Sequence, residues 1–147
     1  MSPSTSDAFV YDVFVSYRQR EPDKSWVRNT LVPALRDAGL KICLDDDCFT
    51  VGEAIVDEME RAVLESRYTV VVLTPAYQHS GFTKLESVMA EHIGLEQMAR
   101  RLVPLMRERC DPGLRVRTRV WLDMTDDSQF AENVDRLIRA LGSSAGR

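Results

Sequence analysis

The residues best suited to chemistry in this sequence are charged and aromatic side chains that follow short apolar runs. Arg18 and Arg20 come directly after the first such run, where guanidinium groups could contact the anionic oxygens of a phosphorylated ligand. They could instead form surface pairs with Glu21 or Asp23. Tyr17 could stack on a flat ring, although an aromatic residue at a strand end is equally suited to the core.

Glu86 is the most informative acidic residue, because we expect it in the first turn of an amphipathic helix. It lies about 100° around the helix from Leu85, at the border of the apolar stripe. There the helix N-terminus would favour an ionised carboxylate that faces a crevice. The pattern from Thr83 to Glu86 is also that of a capping box, in which Glu86 would only accept the backbone N–H of Thr83.

A loop rich in aspartate is predicted between the second strand and the second helix. Asp45, Asp46 and Asp47 could simply form a solvated turn with Asx-type hydrogen bonds. A divalent cation could bind such a cluster, but the chemistry considered below does not need one, and we predict no metal site. The rest of this loop consists of Cys48, Phe49, Thr50, Val51 and Gly52.

Composition restricts the class of protein to one ordinary globular domain. The chain has 147 residues, of which 44% are hydrophobic and 29% charged, and its net charge is −4. No apolar run approaches the roughly 20 residues that span a bilayer, and the first residues lack the basic and apolar regions of a signal peptide. We therefore expect a cytoplasmic protein without membrane contact.

The cysteines and the basic residues do not indicate a metal or nucleic-acid site. Three cysteines without a CxxC spacing suggest reduced thiols, and His79 and His92 do not lie at zinc-ligand spacing from them. Residues 100–119 contain seven arginines against Glu108 and Asp111. This segment could hold a phosphate or an acidic partner, but a solvated face is the commoner case. No aromatic residues alternate with the arginines, so we expect no nucleic-acid partner.

Short apolar runs alternate with amphipathic stretches along the chain, which predicts βαβ units. We expect a flavodoxin-like α/β fold, with a five-stranded parallel sheet in the order 2-1-3-4-5 and helices on both faces. A capping box from Thr50 to Glu53 is expected to start the second helix, and Pro104 suggests a bulge or a strand end. The predicted strands are 11–17, 41–44, 68–73, 101–106 and 120–122, and the third helix is expected over about 83–95.

Ligands of such sheets bind at the carboxyl ends of the strands, where the winding reverses between strands one and three. This rule selects the stretch after Tyr17, the loop 45–52 and the stretch 74–86 as the candidate site. No GxGxxG pattern or P-loop is present, which argues against a nucleotide triphosphatase or a dinucleotide reductase. A phospho-acceptor receiver would need paired acids after the first strand, where this chain has Ser16, Tyr17 and Arg18.

Several segments in this order resemble the TIR domain, the Toll/interleukin-1 receptor-like module, over about residues 9–141. The segment 11–18 resembles the first conserved box of that family, and 39–45 with Val51 and Gly52 resembles the second box and its loop. Two further segments, Ala62–Arg67 and Val71–Pro75, resemble the helix and strand that follow.

The resemblance implies one of two functions, cleavage of the nicotinamide–ribose bond of NAD or scaffolding without catalysis. Enzymatic members have an aromatic residue, a small residue, two variable residues and then the catalytic glutamate. Phe82-Thr83-Lys84-Leu85-Glu86 matches this pattern, with Phe82 in place of tryptophan and Thr83 in place of cysteine. The resemblance implies NAD as substrate and no cofactor. The substrate-binding residues that it implies are Tyr17, Arg18, Asp45, Phe49 and Phe82.

The same resemblance implies other TIR domains as partners, in a homo-oligomer or filament that completes the site. The implied interface is the loop of Asp46, Asp47, Cys48, Thr50, Val51 and Gly52. We expect a flexible leader over 1–9, the domain over 10–142, and a tail or linker over 143–147 that could join further domains. Bacterial defence against phage is a role of similar proteins. A hydrolase of free nucleosides, similar to a deoxyribosyltransferase, is a third alternative.

Overall fold

A five-stranded parallel sheet forms the centre of this computed structural model, which describes residues 9–44, 49–78, 81–111 and 121–145. The strand order is β2-β1-β3-β4-β5, which confirms the predicted flavodoxin-like topology. In the register, Val13 lies opposite Ile42 and Ser16 lies opposite Val71. The strands are β1 (Tyr11–Ser16), β2 (Ile42–Cys43), β3 (Ser66–Leu73), β4 (Leu102–Met106) and β5 (Leu122–Asp123).

Helices connect the first four strands and cover both faces of the sheet. A π-helical turn, Val27–Leu31, joins the first two helices. Pro33 follows in the second helix and has no N–H for the carbonyl group four residues before it, which accounts for irregular hydrogen bonding at this point. The α-helices are α1 (Asp23–Trp26), α2 (Val32–Asp37), α3 (Ile55–Glu65), α4 (Pro75–Gln78), α5 (Gly81–Arg101) and α6 (Phe130–Ala145).

Alternate side chains of the inner strands point to opposite faces, and each face has its own apolar cluster. Val13 and Val15 lie in the cluster beneath α1, α2 and α6, together with Leu137. Phe14 lies in the cluster on the other face, with Leu85 of α5. Because both faces are buried, the inner strands are nearly continuous apolar runs, as the sequence of β3 indicated.

The predicted helix starts are wrong in two places. Ala54, and not Thr50, precedes α3, and no side chain caps that helix. The other helix, α5, begins at Gly81, so Thr83 lies inside it and cannot be its N-cap. Neither Thr50 nor Thr83 therefore occupies the N-cap position of its helix. The last helix runs to Ala145.

Pro104 causes no bulge in the sheet. It pairs with Val71 in an unbroken register between β3 and β4. On its other side β5 is short and pairs only with Leu105 and Met106. The missing N–H of Pro104 therefore leaves no gap in the β4–β5 ladder, which explains why a proline is tolerated in an inner strand.

The helical path of α5 is broken at Gly94. This residue has φ 82° and ψ 161°, a conformation that is essentially restricted to glycine. A Cβ atom added here would meet no other atom within 4 Å, so the backbone conformation alone opposes a side chain. The break occurs one residue before the expected end of the helix at 95, and helix resumes beyond it as far as Arg101.

Replacing Gly94 with Ala is therefore expected to destabilise the protein by about 1 to 3 kcal/mol. In a continuous helix the same change would stabilise it by about 1 kcal/mol, so the sign of the effect tests the break. Denaturant unfolding measures this difference. Ser87→Ala, at an exposed position in the regular part of α5, serves as the control and should have little effect.

Candidate functional site

The floor of the candidate crevice lies where β1 and β3 end side by side. The Ser16 hydroxyl at the end of β1 is hydrogen-bonded to the Tyr77 hydroxyl of α4. The backbone N–H of Tyr77 donates to Thr74 Oγ1 at 3.2 Å. Burial raises the pKa of Tyr77 well above its ordinary value, so this phenol is neutral. These bonds fix the chain that leads from β3 toward α5.

Glu86 lies at the same end of the sheet, because the chain leaves β3 there and passes through the short helix α4 into the first turns of α5. Its neighbours Leu85 and Met89 are buried against the sheet, whereas Glu86 is only partly buried. The predicted position at the border of the apolar stripe is thus confirmed. It is the sixth residue of the helix and lies in the second turn, not the first. Stabilisation by the helix dipole falls off beyond the first turn.

Arg18 lies two residues beyond β1 and is paired with Asp23. The distance from Arg18 Nη1 to Asp23 Oδ2 is 3.7 Å. This is the pairing with Asp23 that the sequence left open, and Arg18 remains partly exposed at the carboxyl end of the sheet. Arg20 is exposed and forms no ion pair within the described part of the chain.

Tyr17 lies in the core rather than on the surface of the crevice. It is 4% exposed and packs in the cluster with Val15 and Leu31. Its hydroxyl accepts a hydrogen bond of 3.0 Å from Arg28 Nε. Of the two roles considered for Tyr17, the structure places it in the core, where its ring has almost no face open to a ligand.

The described part of the acidic loop is fixed to the protein at its end. Phe49 packs against Phe14, with ring centroids 6.1 Å apart. The Thr50 backbone N–H donates to Glu58 Oε1 of α3, and Arg61 donates to the same oxygen. Phe49 therefore anchors the loop on the core, and the buried carboxylate of Glu58 holds the residue that follows.

Beyond this anchor the loop is open to solvent. The Val51 side chain is 99% exposed, and Gly52 has φ 96° in the left-handed region that favours glycine. Three exposed residues, Val51, Gly52 and Glu53, then lead to Ala54, which precedes α3. The predicted site residues Asp45, Asp46, Asp47 and Cys48 lie outside the described residues, as do His79 and the side chain of Phe82.

The contacts of Glu58 predict a pH-dependent contribution to stability. The hydrogen bond from Arg61, followed by that from the Thr50 N–H, holds the pKa of Glu58 below its ordinary value of 4.5. A carboxyl group with a lowered pKa stabilises the folded state above the ordinary pKa, and this stabilisation is lost as the pH falls.

Glu58→Gln is therefore expected to lower the melting temperature at pH 7, with a difference from the parent that shrinks as the pH falls below 4.5. Thermal unfolding of both proteins between pH 3 and pH 7, a range that includes the ordinary carboxyl pKa, measures this difference in melting temperature. Glu96→Gln, which removes an exposed surface pair with Arg100, should show almost no difference at any pH.

Two arginines of the basic segment form structural contacts, whereas Arg100 and Arg109 are largely exposed in surface ion pairs. Arg101 donates to the carbonyl oxygens of Val63 and Ser66 at 2.6 Å each. Arg107 donates to Met124 O at 2.8 Å and pairs with Asp127 at 2.7 Å. These contacts favour a structural role over an anion site. Residues 112–120 lie outside the described part.

The cysteines differ from the sequence-based expectation. Cys43 is disulfide-bonded, so the prediction of reduced thiols is wrong for this residue. Its partner lies outside the part of the chain that the structure describes. Cys110 is free, and burial raises the pKa of its thiol. Count and spacing alone do not show which thiols a fold brings together.

Sequence reasoning missed two residues of this region. Tyr77 has no distinguishing signal in the sequence, since many strands are followed by a tyrosine without special role, yet it links β1 to α4. Glu58 is one of several charged residues in the first half of α3, and nothing in the sequence distinguishes it as the residue that holds the loop. Among the described residues no cluster of three or more potential ligands could hold a metal ion. No described helix has the length and apolar character to cross a membrane.

Known proteins resemble this chain in sequence over about half of its length. Toll-like receptor 13 of Mus musculus is 36% identical over 89 residues, which are 58% of this chain and 9% of the receptor. The TMV resistance protein N of Nicotiana glutinosa is 34% identical over 79 residues, which are 54% of this chain and 7% of that protein. The chain therefore spans less than a tenth of the length of either relative.

Solved structures resemble it over nearly its whole length. The TIR domain of the Toll-related receptor TRR-2 from Hydra magnipapillata has a TM-score of 0.74 and 23% identity, covering 90% of this chain and 98% of that one. A TIR-STING receptor from C. gigas in complex with 2',3'-cGAMP has a TM-score of 0.72 and 21% identity, covering 94% and 42%. At these sequence identities the structural similarity shows a shared fold and nothing more.

The family relationship rests on a match over most of the chain. The family model described as TIR domain matches residues 13–138, which include most of β1, the Glu86 helix and part of α6. This chain therefore belongs to the TIR domain family.

Proposed function

We propose that this chain cleaves the nicotinamide–ribose bond of NAD, with Glu86 as the catalytic carboxylate. The observation that supports this most directly is the position of Glu86. It is a partly buried acid on the second turn of α5, at the end of the sheet where flavodoxin-like folds bind ligands. The motif from Phe82 to Glu86 resembles that of the NAD-cleaving members of the family.

The chemistry needs a fixed negative charge beside the ribose. As nicotinamide leaves, positive charge develops on the anomeric carbon and the ring oxygen. A preorganised carboxylate stabilises that charge more strongly than water does, because it needs no reorganisation. Departure neutralises the pyridinium ring of nicotinamide, so the leaving group requires no strong general acid. Glu86 therefore acts by electrostatic stabilisation and by orienting the ribose hydroxyls.

Arg18 is proposed to bind the diphosphate of the substrate. It lies at the end of β1 with its side chain 31% exposed, and a guanidinium group offers donors in a planar arrangement that suits phosphate oxygens. With water as acceptor, NAD and water give ADP-ribose, nicotinamide and a proton. Attack by a hydroxyl group or the adenine of the same molecule gives a cyclic isomer instead.

We further propose that self-assembly activates the enzyme through the loop that ends at Gly52. The Val51 side chain is almost completely exposed, while Glu58 and Phe49 hold the loop stem. An apolar group on a stem already fixed in place loses little conformational freedom when it docks on a second copy. The same feature favours the second candidate function, a non-catalytic module that binds other TIR domains.

Nicotinamide release separates these functions. The purified chain is incubated with NAD both dilute and clustered on a bead or lipid surface, and products are resolved by chromatography. The proposal predicts nicotinamide with ADP-ribose or a cyclic isomer, formed faster in the clustered sample. Clustered protein that assembles without releasing nicotinamide would support the scaffold function. Cleavage of free nucleosides but not of NAD would support the nucleoside hydrolase.

A further inference from the structure

Asp23 is a buried carboxylate beside the candidate crevice. Its side chain is 3% exposed, and its Oδ2 atom has no hydrogen-bond partner within the described chain. Arg18 Nη1 is the nearest cationic atom, at 3.7 Å, which exceeds the length of a normal hydrogen bond. At this distance the attraction between the two groups is mainly electrostatic.

The surroundings of Asp23 make its charge costly. Burial, and then repulsion from Glu108, raises the pKa of Asp23, while Arg18 and Arg107 oppose that shift. A buried carboxylate without a full set of hydrogen bonds destabilises a fold. By contrast, Asp127 is exposed and bonded to Arg107 at 2.7 Å, as is usual for a surface pair. Asp23 does not resemble a group whose main effect is to stabilise the folded chain.

We propose that Asp23 is a positioning residue for Arg18, holding its guanidinium group at the carboxyl end of β1 for the diphosphate of the substrate. Asp23 is almost completely buried, whereas 31% of the Arg18 side chain is exposed to solvent. Its attraction restricts the arginine while leaving donors for phosphate oxygens. This inference rests on the proposed function, since it assigns the diphosphate to Arg18.

Asp23→Asn tests the inference, because its effects on stability and on binding are predicted to have opposite signs. Folding stability should stay equal or rise, since a buried charge is removed and Arg18 can still contact water. Affinity for ADP-ribose should fall about tenfold, as for loss of one charge-assisted interaction. With NAD, KM should rise by a similar factor while kcat changes less than about twofold.

Further comparisons test whether Asp23 affects substrate binding through Arg18. Asp135→Asn removes a matched aspartate–arginine pair on the surface of α6, where Asp135 bonds Arg139 at 2.9 Å, and should leave binding unchanged. In the Arg18→Ala background, Asp23→Asn should cause no additional loss of affinity. Nicotinamide riboside, which has no diphosphate, should be cleaved equally by the parent and Asp23→Asn.

The outcomes that overturn the inference are distinct from those that overturn the proposed function. An Asp23→Asn protein that unfolds, or that loses stability with unchanged ADP-ribose affinity, would show a structural role. Additive losses with Arg18→Ala, or a parent that does not bind ADP-ribose, would also overturn it. If the parent binds ADP-ribose but releases no nicotinamide, the proposed activity fails, and the affinities alone decide the role of Asp23.

Discussion

Glu86→Gln is expected to lower the rate of nicotinamide release by about 100- to 1,000-fold. This is the range seen when one preorganised electrostatic group is removed from an active site. Glutamine is nearly isosteric with glutamate but lacks its charge, so it cannot stabilise the cationic ribose. Because Glu86 is only partly buried at the border of α5, the change should leave the folded structure intact. Nicotinamide release from clustered protein measures the loss.

Glu91→Gln provides the matched control for this prediction. It removes the same charge from an exposed position on the same helix, five residues further along, and should retain the parent rate. Melting temperatures of the two variants should lie within a few degrees of the parent. Equal loss of activity in both variants would show that the net charge of the helix, and not Glu86 itself, determines the rate. Full activity in Glu86→Gln would show that Glu86 has no role in the mechanism.

Val51→Asp is expected to weaken activation by assembly, so that a higher protein concentration is needed for the same activity. The Val51 side chain is 99% exposed in the single chain, so the substitution should not affect folding. At an interface between copies, a buried charge would replace an apolar contact, and such changes commonly cost about 2 kcal/mol or more. That corresponds to an association constant lowered about 30-fold. Light scattering and NAD cleavage over a concentration series measure assembly and activity together.

Val10→Asp is a suitable control for this substitution. Val10 is also exposed and apolar but lies just before β1, at the opposite end of the sheet from the loop. It should assemble and cleave NAD like the parent. If Val51→Asp remained monomeric at every concentration yet had full activity, the requirement for a second copy would be disproved.

The sheet was predictable because its signal is repeated over many residues. The apolar run of β3 and the alternation of strands with amphipathic helices leave few topologies for a parallel sheet. The observed order is the predicted one. Family resemblance and fold agree because both depend on these same segments, from β1 to α6.

Local features were less predictable, because several residues compete for the same backbone groups. Thr50 fits a capping box, yet its N–H donates to Glu58, which lies eight residues away. From sequence, Tyr17 could stack on a ligand or pack in the core, and the structure shows it packed in the core beneath α2. A short motif shows what a residue can do, whereas the tertiary contacts determine what it does.

Part of the candidate site was predictable from topology alone. The ends of β1 and β3 had to lie side by side, which brought the residues after them to one edge. Burial of Asp23 could not be predicted, because it depends on how α1 packs rather than on spacing along the chain. The exposure of Val51 likewise depends on how Glu58 and Phe49 hold the loop stem.

The most direct test of the central claim is a crystal structure of the assembled protein with a non-cleavable NAD analogue. Our account predicts a carboxylate oxygen of Glu86 within about 3 Å of a ribose hydroxyl group, with the diphosphate beside Arg18. A bound analogue whose ribose lies far from Glu86, with that carboxylate facing bulk solvent, would contradict the account.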